Sequence, residues 1–291
     1  MELSDLLAGG PVVTDGAWGT ELQRRGLAAG ESADLWNLIH PDRVFEVAAD
    51  YVAAGSQVIL TNTFQASSLC LAGHGHGREA AEINRAGAAI SRKAAPQAKV
   101  FASIGPSGKL LMMGDCTPEE MLRSFREQAG ALAAGGADAL LIETMSDLEE
   151  ARIALEAAKS TGLPVVVSFA FDSGKHRDRT MMGASPEQAA KAMADAGADA
   201  VGANCGAGVE HFLPVCRRMK DATSLPLWMK PNAGLPVVEH GSTVYRATPQ
   251  EFAARSAELV EAGASFIGGC CGTSPAFIRA VSLELAGQPH A

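Results

Sequence analysis

The stretch Ser185-Pro186-Glu187-Gln188, running through Ala196-Gly197-Ala198-Asp199 into Ala200-Val201-Gly202-Ala203-Asn204-Cys205, holds one complete structural module. Ser185 followed by Pro186 is a helix-start signal, since a hydroxyl N-cap accepts from a free N–H and proline suits the first helical position. Gln188, three residues after the cap, completes a capping box. Ala196-Gly197 is a helix stop, because glycine enters the left-handed conformation at low cost. A short apolar run follows and ends on two polar residues, Asn204 and Cys205. Such an apolar run suits a parallel strand covered on both faces.

The same punctuation recurs along the chain. Start signals stand at Thr117-Pro118-Glu119-Glu120, Thr248-Pro249-Gln250-Glu251 and Ser274-Pro275. Stop signals stand at Ala54-Gly55, Gly135-Gly136 and Ala262-Gly263. Pro41–Ala54 places Val44, Val47, Ala48, Tyr51 and Val52 on one helical face. Between these marks lie eight expected strands: Val12–Asp15, Gln57–Asn62, Lys99–Ile104, Asp138–Glu143, Pro164–Phe169, Asp199–Asn204, Pro226–Lys230 and Ser265–Gly269. Eight βα units predict an α/β fold, a single (β/α)8 TIM barrel over 1–291, with an open doubly wound sheet as the competing arrangement.

A barrel carries its site at the C-terminal ends of its strands. Those ends read Asp15-Gly16, Asn62-Thr63, Gly105-Pro106, Glu143-Thr144, Ser168, Asn204-Cys205, Lys230-Pro231-Asn232 and Gly269-Cys270-Cys271. Cys205, Cys270 and Cys271 thus come from the sixth and eighth strands. Three thiolates and one open position describe a reactive Zn2+ site. Cys70, Cys116 and Cys216 read as ordinary small thiols. His74 and His76, set among glycines, read as a surface loop. The stretches Thr63–Arg78, Phe171–Gly183 and Ala233–Thr248 are the long loops on this face and the expected walls of the site.

The chain has 291 residues, 47% of them hydrophobic, and a formal charge of −9. That charge, with no basic block, argues against a nucleic-acid or anionic-membrane partner. The first residues lack the basic start of a signal peptide, and no apolar run is long enough for a membrane span, so a soluble cytoplasmic protein is expected. Without a secretory context, and with two cysteines adjacent, a disulfide framework is not expected.

Taken together, Asp15-Gly16-Ala17-Trp18-Gly19-Thr20, Asn62-Thr63-Phe64, Ile142-Glu143-Thr144, Asn204-Cys205 and Gly268-Gly269-Cys270-Cys271-Gly272-Thr273 resemble the homocysteine S-methyltransferase family, from about Val12 to Leu285. The resemblance implies methyl transfer to the thiolate of homocysteine, giving methionine, with Cys205, Cys270 and Cys271 as zinc ligands. It implies that Asp15 and Gly16 help to form the amino-acid pocket, that Glu143 holds the substrate ammonium and that Asn204 lies beside the zinc. Asp15, Glu143 and Asn204 are therefore the expected catalytic set. Thr63, Thr144, Ser168 and Asn232 join Asp15, Gly16 and Glu143 as expected substrate contacts. Plainer readings make Asp15 a turn residue and Glu143 a structural carboxylate.

The expected donor is a small onium compound, S-methylmethionine or a betaine, or else a methylcorrinoid on a separate protein. Onium ions favour aromatic cages, and aromatic residues make up only 5% of the chain. Trp18, at a strand end, is the aromatic placed to face a donor. Thr144 stands where betaine enzymes usually carry a tyrosine, which weighs against betaine. The alternatives are a different thiol acceptor, a zinc-dependent hydrolase or lyase, and a barrel that only stores metal.

Overall fold

The computed structural model describes residues 2–239 and 242–287, so the outermost parts of the expected 1–291 domain lie outside the described residues. Eight strands form one sheet: β1 Val12–Val13, β2 Val58–Ile59, β3 Lys99–Ile104, β4 Ala139–Met145, β5 Val165–Phe169, β6 Ala200–Gly208, β7 Leu227–Asn232 and, after an inserted hairpin, β10 Ala264–Ile267. Their order is β1-β10-β7-β6-β5-β4-β3-β2, with every ladder parallel. Apart from the hairpin, this is chain order wrapped into a cylinder, which fits a (β/α)8 barrel and not an open doubly wound sheet.

The seam between β1 and β2 is closed largely by side chains. Gln57 N–H donates to Val13 O at 2.8 Å, and Gln57 Oε1 accepts from Val13 N at 2.9 Å. One turn higher, Leu60 N donates to Asp15 Oδ2 at 2.7 Å. Asp15 is thus part of the barrel wall.

The helices begin where the sequence marks them. Thr117, Ser185 and Thr248 each cap a helix with a reciprocal capping box, on Pro118–Ala134, Pro186–Asp195 and Pro249–Glu261. Each such cap contributes about 1 kcal/mol. Ser274 makes no side-chain cap to Pro275–Ala286. Gly55, Gly136, Gly197 and Gly263 adopt φ between 83° and 107° just beyond their helices, as the stop signals require.

Two apolar layers hold the cylinder. Outside it, the strands bury Val13, Ile59, Val100, Ile142, Val167, Val201 and Ile267 against the helices. Inside it, Leu60, Leu141, Val166, Trp228, Phe101 and Phe266 form a separate cluster. Phe101 stacks on Trp228 at 5.8 Å between centroids, and Phe266 tilts against Trp228 at 5.3 Å. This aromatic plug is the floor beneath the polar strand ends. Gly202 makes room for it, since a Cβ there would overlap the backbone carbonyl of Trp228.

One element was not expected. The loop after β7 contains an antiparallel hairpin, β8 Val237–Glu239 with β9 Ser242–Val244. Strands of three residues carry too short an alternation to be told from loop. His240 and Gly241, within that expected wall, lie outside the described residues. No helix among the described residues is long and apolar enough to cross a membrane.

Candidate metal centre and substrate pocket

Cys205 lies in β6 where the ladder to β7 breaks register, between Cys205 and Gly208. Its φ is 59° and that of Gly206 is 63°, so two consecutive residues are left-handed. For a cysteine this conformation costs roughly 1–2 kcal/mol. Such strain persists where surrounding contacts enforce it, and often at functional sites. Asn232 supplies one contact, with Nδ2 donating to Gly206 O at 2.8 Å.

Cys270 and Cys271 follow β10 and are pinned through their backbone. Cys270 N donates to Pro231 O at 2.8 Å, Ala233 N donates to Cys271 O at 3.0 Å, and Thr273 Oγ1 donates to Cys270 O at 2.7 Å. The surrounding glycines have a steric reason. A Cβ on Gly268 would strike Thr14, one on Gly269 would strike Thr273, and one on Gly272 would enter the Tyr245 ring.

These two loops bring the three expected cysteines together. Their sulfurs lie within 4.8 Å of one another, with Cys205 Sγ and Cys271 Sγ at 3.9 Å. All three side chains are half-buried. Zn–S bonds of ~2.3 Å at a tetrahedral angle put sulfurs about 3.8 Å apart, so the cluster fits the metal with one position open. Hydrogen bonds from Cys270 and Cys271 pull the Cys205 thiol down to about 3. The reverse side of those bonds, with burial, pushes Cys270 and Cys271 up. These hydrogen bonds favour a thiolate on Cys205, and a divalent cation would favour removing the other two protons as well.

No other group of three or more metal-binding side chains comes together among the described residues. His76 instead lies 3.5 Å from Glu79, on the surface.

Beside the sulfurs the ends of β4, β5 and β6 are tied by one amide. Asn204 Oδ1 accepts from Thr144 N at 2.8 Å and from Ser168 Oγ at 2.7 Å, while Nδ2 donates to Thr144 Oγ1 at 2.6 Å. Thr144 is left-handed, with φ 63°. Glu143 is buried, accepts from the Ser103 hydroxyl and meets Asn204 Nδ2 at 3.5 Å. Burial raises its carboxyl to about 7, against the opposing pull of the Lys230 ammonium and Ser103.

The other expected residues are placed as follows. Asp15 is fully buried and paired with Lys230. A Cβ on Gly16 would collide with Tyr51 and Thr273, so its backbone must lie flat against them. Thr63 sits behind the pocket, its hydroxyl donating to Ser103 O at 2.7 Å and touching Thr61 Oγ1. Ser168 is committed to Asn204. Asn232 Oδ1 is buried without a partner.

Three participants were not among the expected site residues: Ser103, Lys230 and Tyr245. Lys230 had a signal, a lysine inside an apolar strand. Ser103 had none, because small hydroxyls are common in buried strands. A cavity of 660 Å³ opens beside Cys271, bounded by Gly19, Arg24, Val244, Tyr245 and Gly272 among others.

The model of the family described as homocysteine S-methyltransferase matches residues 12–285. The chain belongs to the homocysteine S-methyltransferase family. Among relatives, the methionine synthase of Mycobacterium tuberculosis is 31% identical over 303 residues, covering 98% of this chain. The chain spans only 25% of the length of that relative. Homocysteine S-methyltransferase 4 of Zea mays is 30% identical, covering 94% of this chain and 89% of its own. The crystal structure of the homocysteine methyltransferase MmuM from Escherichia coli, in its metallated form, superposes with a TM-score of 0.80 at 26% identity, covering 97% of this chain and 99% of that one. The family's barrel is thus present here nearly end to end.

Proposed function

We propose that this chain methylates the sulfur of homocysteine, with Zn2+ held by Cys205, Cys270 and Cys271, and yields methionine. The observation that carries the reading is the convergence of three sulfurs within 4.8 Å beside a buried carboxylate, Glu143. A free thiol is only a few per cent ionised at neutral pH, whereas zinc held by soft thiolates favours the deprotonated thiol and leaves it electron-rich.

The protein's own groups do the rest. Glu143 takes the substrate ammonium, and loses any proton it carries when that cation arrives. Asn204 keeps Glu143, Thr144 and Cys205 in fixed relation, so amino end and sulfur end are held together. Asn232 offers its unpartnered Oδ1 beside the cysteines. Thr63 and Ser168 act as supports for Ser103 and Asn204, and Gly16 brings backbone close to the pocket. The methyl donor enters through the cavity at Tyr245 and Cys271. In the transfer, the substrate thiolate's electron pair forms the new S–CH3 bond, and the donor leaves with the electrons of its old bond to carbon. Holding both partners aligned supplies much of the rate.

The donor is either a small onium ion such as S-methylmethionine or a methylcorrinoid carried by a separate protein. Purified protein, assayed for zinc and then for methionine formation from homocysteine with S-methylmethionine, glycine betaine and methylcobalamin, tests the reading. Methionine from one donor, lost on chelation, is the expected result. No methionine from any donor, together with no binding of homocysteine to the zinc-loaded protein, would refute it.

A further inference from the structure

Lys230 lies on the floor of this pocket and is only 2% exposed. Its ammonium pairs with Asp15 Oδ1 and lies 5.7 Å from the centre of the Trp228 ring. Asp15 is fully buried, and both of its oxygens already hold close donors. Its Oδ2 accepts from Leu60 N and from Trp18 Nε1, each at 2.7 Å, and its Oδ1 takes Lys230. Glu143 differs. One oxygen takes the Ser103 hydroxyl, and the other has only the long 3.5 Å approach of Asn204. The floor therefore carries two acids and one ammonium, and the carboxyl oxygen without a close donor belongs to Glu143, the less deeply buried of the two acids.

We propose that Lys230 is a positioning residue that occupies Asp15 and so leaves Glu143 as the one carboxylate open to the substrate's α-ammonium. This deepens the reading above and rests on it. Asp15 then acts on the substrate only through Lys230. If Asp15 loses its charge, a buried ammonium is left without its partner, which is strongly unfavourable. Glu143 is the acid whose charge Lys230 already feels, since the lysine is the largest influence opposing burial at that carboxyl. Lys230 would turn to Glu143 and compete with the substrate for it.

A calorimetric titration of homocysteine into zinc-loaded protein tests this without knowledge of the donor. Asp15→Asn should weaken homocysteine by about tenfold to a hundredfold, the range of one charge-assisted contact. Adding Lys230→Met to Asp15→Asn should restore most of that loss, because the competing ammonium is gone. Binding of 4-sulfanylbutanoate, homocysteine without its amino group, should change little in either variant and should already be weak in the wild type. A double variant no better than Asp15→Asn would overturn the proposal, since Asp15 would then contact the substrate directly. Zinc content and thermal melting of each variant exclude misfolding, and Asp15→Asn with Lys230→Gln carries the same comparison if the methionine variant does not fold. A wild-type protein that binds no homocysteine would instead sink the functional reading itself.

Discussion

Asn204 grips Thr144 at both ends of its amide: Oδ1 accepts from the Thr144 backbone at 2.8 Å, and Nδ2 donates to the Thr144 hydroxyl at 2.6 Å. Thr144 directly follows Glu143, and Asn204 directly precedes Cys205. One side chain therefore locks the carboxylate end of the pocket to its sulfur end, and both left-handed residues, Thr144 and Cys205, sit at this lock.

Asn204→Ala should damage both ends at once. It leaves buried donors and acceptors unpaired, a cost of about 1–3 kcal/mol for each. Thermal melting should fall by several degrees, and homocysteine binding and zinc affinity should fall with it. Unchanged zinc affinity in a competition with a chromophoric chelator would show that Cys205 does not depend on the lock.

Cys271→Ala removes one of three sulfurs from a half-buried rim and leaves the apolar layers untouched. Zinc affinity should drop by more than the ~10–100-fold typical of losing an outer-shell partner. Methyl transfer should vanish while the far-ultraviolet circular dichroism stays that of the wild type. Metal analysis and the methionine assay measured together check this, and full activity without zinc would contradict the metal assignment.

Glu143 predicts a pH dependence with a definite sign. Its carboxyl rises from an ordinary 4.5 to about 7 in the folded chain. The folded state then binds the proton more tightly than the unfolded state, so this group's stability contribution is full below about 4.5 and is lost as pH rises through about 7. The loss is at most on the order of 3 kcal/mol. Glu143→Gln removes the titration, so in metal-free protein its melting temperature should gain on the wild type as pH rises from 5 to about 8. A gap that stays constant over that range would show that Glu143 is ionised throughout.

Gly202→Ala tests the packing beneath the site. The added Cβ would overlap the carbonyl of Trp228 within the β6–β7 ladder. Backbone cannot yield as a flexible side chain can, so a loss of several kcal/mol in chemical denaturation is expected, at or beyond the ~1–3 kcal/mol usual for overpacking. Thr248→Ala, by contrast, removes one exposed capping box and should cost about 1 kcal/mol with activity intact.

All eight barrel strands were legible in order, because helix caps, glycine stops and apolar runs are local signals. Boundaries were less so. β6 extends to Gly208 and β4 to Met145, both past a register break that no local pattern announces. The strand-end rule placed Cys205, Cys270 and Cys271 on one face, and their sulfurs do meet. It also gathered Thr63 and Ser168, whose hydroxyls turn out to be committed to neighbouring strands. A strand end marks a face of the barrel, but the direction and partners of each side chain depend on the layer it occupies.

Alone, then, the amino-acid sequence determined the repeating βα unit, the parallel barrel and the identity of the clustered thiols, since each follows from residues close together in the chain or from a family's recurrent motifs. Tertiary structure decided which acid is spent and which is open. Asp15 is spent on Lys230, 215 positions away, while one oxygen of Glu143 meets only the long 3.5 Å approach of Asn204. Charge pairing between buried groups is set by distance in space, and no spacing along the chain encodes it.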